Sequence, residues 1–178
     1  GSTVAVLGLG LLGQLTVQLL KAYGCEVFGF DVNAEKLALA KKNGATFTYN
    51  HANTFEIAVN AHTHNHGVDA VIVTAATRSS EPVDFAIHLV RQKGKIVVVG
   101  VADIHPNRHE LWHKEIELMV SKAAGPGSLE ENYEKDGQDY PIELARWTEN
   151  RNLQEFIRLL EKKLMDVSSL ITHHYSIN

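Results

Sequence analysis

Residues 3–31 read TVAVLGLGLLGQLTVQLLKAYGCEVFGFD, a glycine-punctuated turn set between two apolar runs and closed by an acid. The first run, Val4, Ala5, Val6 and Leu7, is short and uniformly apolar, as a strand buried on both faces of a parallel sheet must be. Gly8, Gly10 and Gly13 then fit G-x-G-x-x-G. The first glycine permits a tight turn, the second lets backbone approach a pyrophosphate, and the third lets the next helix pack closely on the strand. That helix is predicted over 11–23, with no acid in its first turn, so its positive end is left for phosphate. Gly24 ends it, as glycine does at a left-handed helix terminus.

A second buried strand, Val27 to Phe30 in sequence, stops at Asp31, 18 residues beyond Gly13. A carboxylate there accepts both ribose hydroxyls of an adenosine and repels a 2′-phosphate. Val32 and Asn33 follow it, with no arginine, which favours NAD over NADP; Lys36 is the nearby cation that bears on the preference.

The bulk numbers agree with one soluble α/β domain over 1–178. The chain is 44% hydrophobic and 21% charged, as ordinary globular domains are. Its net charge of −4 gives no electrostatic case for nucleic acid or an anionic membrane. The one cysteine, Cys25, excludes an internal disulfide and a cysteine-based zinc site, and suits a reducing compartment. It reads as small filler at the start of the second strand. No apolar run reaches the length of a membrane span. The first strand begins without a basic leader, which predicts no signal peptide and a cytoplasmic location. A dinucleotide-binding half that starts at residue 3 also predicts a piece of a longer chain.

Strands and helices alternate onward. Asn33 is expected to cap a helix over 34–43, ended by Gly44. A β-prone piece at 46–49, a polar helix at 54–61 and an apolar strand at 68–74 follow. Ser80 and Pro82 predict a helix start, with the helix running to Gln92, a break at Gly94, and a fifth strand over 95–99. A sixth strand at 116–120 completes a Rossmann fold, a doubly wound parallel sheet in order 3-2-1-4-5-6 with helices on both faces. From 124 to 149 the chain is rich in Gly, Pro, Asn, Asp and Glu and reads as a long surface excursion. Asn152 is expected to cap an amphipathic helix over 153–163, and 170–177 is extended in character.

The phrases VAVLGLGLLGQLTVQLLKAYG, FDVNAEKLALAKKNGA, GVDAVIVTAAT, GKIVVVG and LITHHYSI together resemble the medium-chain dehydrogenase/reductase family, the zinc-type alcohol and sorbitol dehydrogenases. The resemblance covers nearly the whole chain. It implies a cofactor domain whose partner, a separate catalytic domain, holds the zinc and most of the substrate pocket. Such a fragment is expected to bind NAD(H) without turning over an alcohol or sugar-type substrate. The resemblance places Gly8, Gly10, Leu11, Leu12 and Gly13 around the pyrophosphate, Asp31 and Val32 at the adenosine ribose, and Lys36 beside it. It places backbone at Thr74 and Ala75 along the cofactor, and backbone at Val99, Gly100, Val101 and Ser121 near the nicotinamide carboxamide. It also implies a homodimer joined through sheet edges near the final strand.

The stretch GPGSLEENYEKDGQDYPIELARWTENRN, 125–152, resembles bacterial two-part oxidoreductases in which a dehydrogenase half precedes a domain like glucose-fructose oxidoreductase. Tyr133, Tyr140, Arg146, Trp147 and Arg151 are its candidate substrate or interface groups, because arginine with aromatics recognises carboxylates and sugars.

Two signals point elsewhere. His109-Glu110-Leu111-Trp112-His113 matches H-E-x-x-H, the zinc-and-base pattern of a metallopeptidase, with Glu130 or Glu134 as a possible third ligand. It falls in the short connection between the fifth and sixth strands, where a solvated helix turn is the simpler reading. His62, His64 and His66 share a face if extended, and could then chelate a metal; a polar loop is the simpler reading. No metal ligand is assigned. A non-enzymatic alternative is an NAD-binding sensor or scaffold.

Overall fold

The computed structural model describes residues 1–176, so Ile177, at the end of the extended stretch expected over 170–177, lies outside the described residues. Six strands, β1 (Thr3–Leu7), β2 (Glu26–Phe30), β3 (Phe47–Tyr49), β4 (Val68–Val73), β5 (Val90–Val98) and β6 (Glu117–Val120), form one sheet in order β3-β2-β1-β4-β5-β6. Every pairing is parallel. Between them run α1 (Leu11–Ala22), α2 (Ala34–Lys42), α3 (Ala52–His62), α4 (Glu81–Leu89) and α5 (Arg108–Lys114). Contacts divide the chain into two compact units, one comprising 1–120 with the chain from 167, the other 121–166.

The central strand explains the first unit. Val4, Ala5, Val6 and Leu7 are all buried, because side chains that alternate across a sheet covered on both sides find apolar packing either way. Ala5 and Leu7 join Phe28, Phe55, Val83 and Ile87 in one layer, while Val6 joins Leu9, Val17, Val27 and Ala40 in the other. Helix α1, which contributes Val17 to the second layer, carries buried polar side chains at Gln14 and Gln18. Gln14 donates from Nε2 to Leu9 O (3.0 Å) and Lys36 O (2.9 Å), and its Oε1 accepts from Asn43 Nδ2 (3.0 Å). A buried amide is tolerated only when so satisfied, and here it ties the glycine turn to α2. Asn33 caps α2 as its sequence suggests, accepting from Glu35 N (2.8 Å) and Lys36 N (3.3 Å), a contribution of about 1 kcal/mol. Cys25 is half-buried ahead of β2.

The fourth helix is shorter than its sequence suggests. It ends at Leu89 rather than Gln92, because Val90 is buried and already pairs with Val68. The register slips between there and Ala70↔Lys95, with Lys93 at positive φ, so the irregular segment belongs to β5. Arg91, released from the helix, reaches Asp69 with its Nε (2.8 Å). That hydrogen bond holds the Asp69 carboxyl below the ordinary carboxylate value; partial burial opposes it, and the Thr3 N–H and hydroxyl reinforce it. A depressed carboxyl stabilises the fold fully above its unfolded value of about 3.9 and loses that contribution as pH falls through the folded value. Urea midpoints measured from pH 6 to pH 3 should therefore fall less steeply in Asp69→Asn than in the wild type. Parallel curves would remove Asp69 from the acid response.

In the second unit, α6 (Glu131–Glu134) and α7 (Glu149–Glu161) are linked by polar contacts rather than by a regular sheet. Helix α7 starts four residues before the expected 153, after Thr148, and Asn152 does not cap it. Its Nδ2 instead donates to Ala124 O (2.8 Å) and Trp147 O (3.4 Å), tying down the preceding loop. Tyr133 OH donates to Thr148 Oγ1 (3.0 Å) and accepts from Asn150 N (3.1 Å). Tyr140 OH donates to Glu130, which lowers the carboxyl's pKa and raises the phenol's. The excursion thus carries its own hydrogen-bonded organisation. Among the described residues no helix is long and apolar enough to cross a membrane.

Candidate functional site

At the carboxyl ends of β1, β2 and β4, where a doubly wound sheet opens a crevice, lies a cleft of about 830 Å³. Gly8 turns the chain out of β1 at φ +94°, and a Cβ there would lie 2.8 Å from Ala75 backbone. Gly13 sits so close beneath that its Cβ would stand 2.1 Å from Gly8 O, whose carbonyl also accepts the Thr74 hydroxyl. Gly10 differs from both. An added Cβ there meets nothing within 4 Å, so the turn is open on the side where an incoming group would approach. Gly10 also precedes α1 with no side-chain cap and no acid in the first turn, which leaves N–H groups and the positive helix end free for an anion.

Asp31 lines the same cleft next to the glycine turn and is 8% exposed. Its Oδ2 accepts from Leu9 N (2.8 Å) and its Oδ1 from Asn33 N (2.9 Å), while Lys36 Nζ lies 3.5 Å from Oδ2. The carboxylate therefore braces the glycine turn and the start of α2, and its remaining lone pairs stay available for hydroxyl donors.

Gly8, Gly10, Leu11, Leu12, Asp31, Val32, Lys36, Thr74 and Ala75, all predicted from sequence, line this cleft. Gly13 does not line it but supports Gly8 from beneath. Gly100 packs on Ala75, where a Cβ would meet Ala75 O at 2.1 Å, and Val99 and Gly100 both donate backbone N–H to Val73 O (2.9 Å). Val101, whose carbonyl accepts from Thr77 N (2.7 Å), is exposed and outside the cleft lining. Ser121 begins the second unit.

Sequence reasoning missed Leu7, Phe30, Ala52, Ala76, Glu81, Pro82 and Phe85, which supply the rest of the wall. The signal was positional. Ala52, Glu81 and Pro82 open the helices that follow β3 and β4, and a crevice at strand ends is walled by such helix starts. Phe30 is edge-on to Phe85 at 5.6 Å between ring centroids, which joins two segments 55 residues apart.

The histidine motifs do different work. His64 and Asn65 adopt positive φ, so 62–66 is not extended and its three histidines do not share a strand face. His62 instead bonds Glu26 Oε2 through Nε2 (2.7 Å). The H-E-x-x-H residues lie on α5, seven residues long, with the His109 and His113 ring centroids 6.3 Å apart. They border a small cavity of about 290 Å³ with Lys114, whose ammonium donates to Ile87 O, His88 O and Val90 O and so closes the end of α4. Burial pushes that lysine's pKa down. Glu130 and Glu134, the third ligands considered, accept hydrogen bonds within the second unit, from Tyr140 OH and Leu129 N. Among the described residues no group of three or more His, Cys, Asp or Glu side chains could hold a metal ion.

A six-stranded parallel sheet in this order, with a glycine turn and an acid bonded to it at the mouth of its crevice, defines a Rossmann-type α/β fold. The chain belongs to the zinc-binding dehydrogenase family, whose profile matches residues 12–135. It is 29% identical over 177 residues to the zinc-type alcohol dehydrogenase-like protein YdjJ of Escherichia coli K12, which covers 98% of this chain and 44% of YdjJ. The structure is similar to that of ECK1772 of Escherichia coli, described as an oxidoreductase/dehydrogenase of unknown specificity, with a TM-score of 0.76, 26% identity, and coverage of 98% of this chain and 44% of that one. It is also similar to a zinc-binding dehydrogenase of Sinorhizobium meliloti 1021 bound to NADP, with a TM-score of 0.59, 31% identity, and coverage of 68% of this chain and 37% of that one. The chain spans less than half the length of these relatives.

Proposed function

We propose that this chain binds NAD(H) in the β1–β2–β4 cleft and serves as the cofactor-binding part of an oxidoreductase acting on an alcohol or sugar-type substrate. The observation that carries the reading is that the open Gly10 turn and the Asp31 carboxylate, which accepts from Leu9 N (2.8 Å) within that turn, line one cleft together. Bound there, the nicotinamide would supply hydride transfer. The protein's own contribution is to hold and orient. The Gly8 to Gly13 turn and the start of α1 meet the pyrophosphate, Asp31 meets the ribose hydroxyls, and Val32 with the apolar wall holds the base. Thr74 and Ala75 run along the cofactor, and the backbone at Val99, Gly100 and Val101 approaches the carboxamide. The substrate pocket and zinc belong to a partner domain, so this chain alone is inactive as a catalyst. Cytoplasmic location and pairing into a homodimer through the β6 edge are parts of the same reading.

Asp31 sets the preference for NADH, since a 2′-phosphate would sit against a carboxylate, and Lys36 offsets that repulsion only in part. The Sinorhizobium neighbour's NADP makes the comparison of both nucleotides the decisive test. A fluorescence titration of the metal-stripped chain with NADH and with NADPH should give saturable binding that favours NADH. Binding that favours NADPH would overturn the assigned role of Asp31, and no binding of either would overturn the reading as a whole.

A further inference from the structure

We infer that Glu81 is a base-reading residue, which accepts a hydrogen bond from the 6-amino group of the cofactor's adenine. This rests on the proposed nucleotide reading of the cleft and deepens it. The cleft has two carboxylates on its wall, Asp31 and Glu81, and they are placed for different work. Asp31 is bound into the glycine turn through Leu9 N and is therefore at the phosphate and ribose end. Glu81 opens α4 beside Pro82 and one turn before Phe85, whose ring meets Phe30 at 5.6 Å between centroids; Val32 and Ala52 line the same cleft. Apolar and aromatic surface is what the faces of a purine require, and a carboxylate at its margin meets the purine's edge.

The carboxylate of Glu81 is uncommitted. Its backbone N–H donates to Ser79 Oγ (3.1 Å), and the other first-turn acid, Asp84, accepts from Ser80 Oγ (2.7 Å). Among the described residues no side chain or backbone donor pairs with the Glu81 carboxylate. A carboxylate only accepts, so it distinguishes purines by what they present at position 6: adenine offers an amino donor, whereas hypoxanthine offers a carbonyl acceptor. Glu81 also complements the helix dipole at the start of α4, but a dipole role carries no preference between bases.

The test compares NADH with reduced nicotinamide hypoxanthine dinucleotide, which carries a carbonyl in place of the 6-amino group and a hydrogen on N1, on the wild-type chain, Glu81→Gln and Glu81→Ala. The wild type should bind NADH about tenfold more tightly than the hypoxanthine analogue, the ratio expected of one charge-assisted hydrogen bond at a partly open site. Both variants should bring the two affinities within about twofold, because glutamine can turn its amide to either partner and alanine offers neither. Equal binding of the two dinucleotides by the wild type would overturn the assignment while leaving the cleft a nucleotide site. So would a tenfold preference that survives in both variants. Failure of the wild type to bind either dinucleotide would remove the assignment together with the reading beneath it.

Discussion

Asp31→Ala should weaken NADH binding by about 10- to 100-fold, the loss expected when hydrogen bonds to a charged acceptor disappear from a mostly desolvated site. NADPH should lose far less, because the substitution also removes the charge facing its 2′-phosphate and frees Lys36, now 3.5 Å from Oδ2, to pair with that phosphate. Discrimination between the two cofactors should therefore narrow or reverse. The same change has a structural cost, since Leu9 N and Asn33 N lose their acceptor, and about 2 kcal/mol of stability should go with them. Asp31→Asn separates the two effects. Its side-chain oxygen can keep one backbone N–H satisfied while the charge is gone, so it should recover part of the stability and still show the narrowed NADH to NADPH ratio. Urea denaturation beside paired titrations reads both. A folded Asp31→Ala chain with unchanged affinities for both nucleotides would show that the carboxylate serves the turn alone.

The second large effect comes from the glycine turn, where two apparently equivalent positions should behave oppositely. In Gly13→Ala the new Cβ would stand 2.1 Å from Gly8 O, a backbone atom that can move only if α1 lifts off β1. We expect a loss of at least about 3 kcal/mol, at the upper end of overpacking costs. In Gly10→Ala the Cβ meets no protein atom within 4 Å, so stability should stay within about 1 kcal/mol of the wild type. The methyl group would nevertheless occupy the space through which backbone approaches a pyrophosphate, and NADH affinity should fall by more than about tenfold. Thermal melts and titrations on the two variants test this directly. Wild-type NADH affinity in Gly10→Ala would move the pyrophosphate away from the turn.

The contrast marks what a sequence displays and what it conceals. G-x-G-x-x-G with Asp31 at the end of the next strand was legible because spacing along one continuous segment fixes those residues together. The sheet order followed from the alternation of apolar runs with helical stretches. Glu81, Pro82, Phe85 and Ala52 were hidden because nothing local marks them; only closure of the sheet brings the starts of two separate helices around one space. The end of α4 was misplaced because Gly94 is the visible breaker, whereas the deciding interaction is the distant pairing of Val90 with Val68. Asn152 fits a helix cap by residue type, yet its amide is taken by Ala124 and Trp147 carbonyls that sequence periodicity does not register.

Cys25, the one thiol in the chain, precedes β2, and the cleft lies beyond that strand's other end. Five residues of extended chain lie between it and Asp31, a span of about 20 Å along the strand. A dye attached to this half-buried sulfur by a maleimide would sit at a single defined site, far enough from the cleft not to compete with a nucleotide. The chain thus carries its own labelling point for single-molecule or energy-transfer measurements, with no engineered residue required.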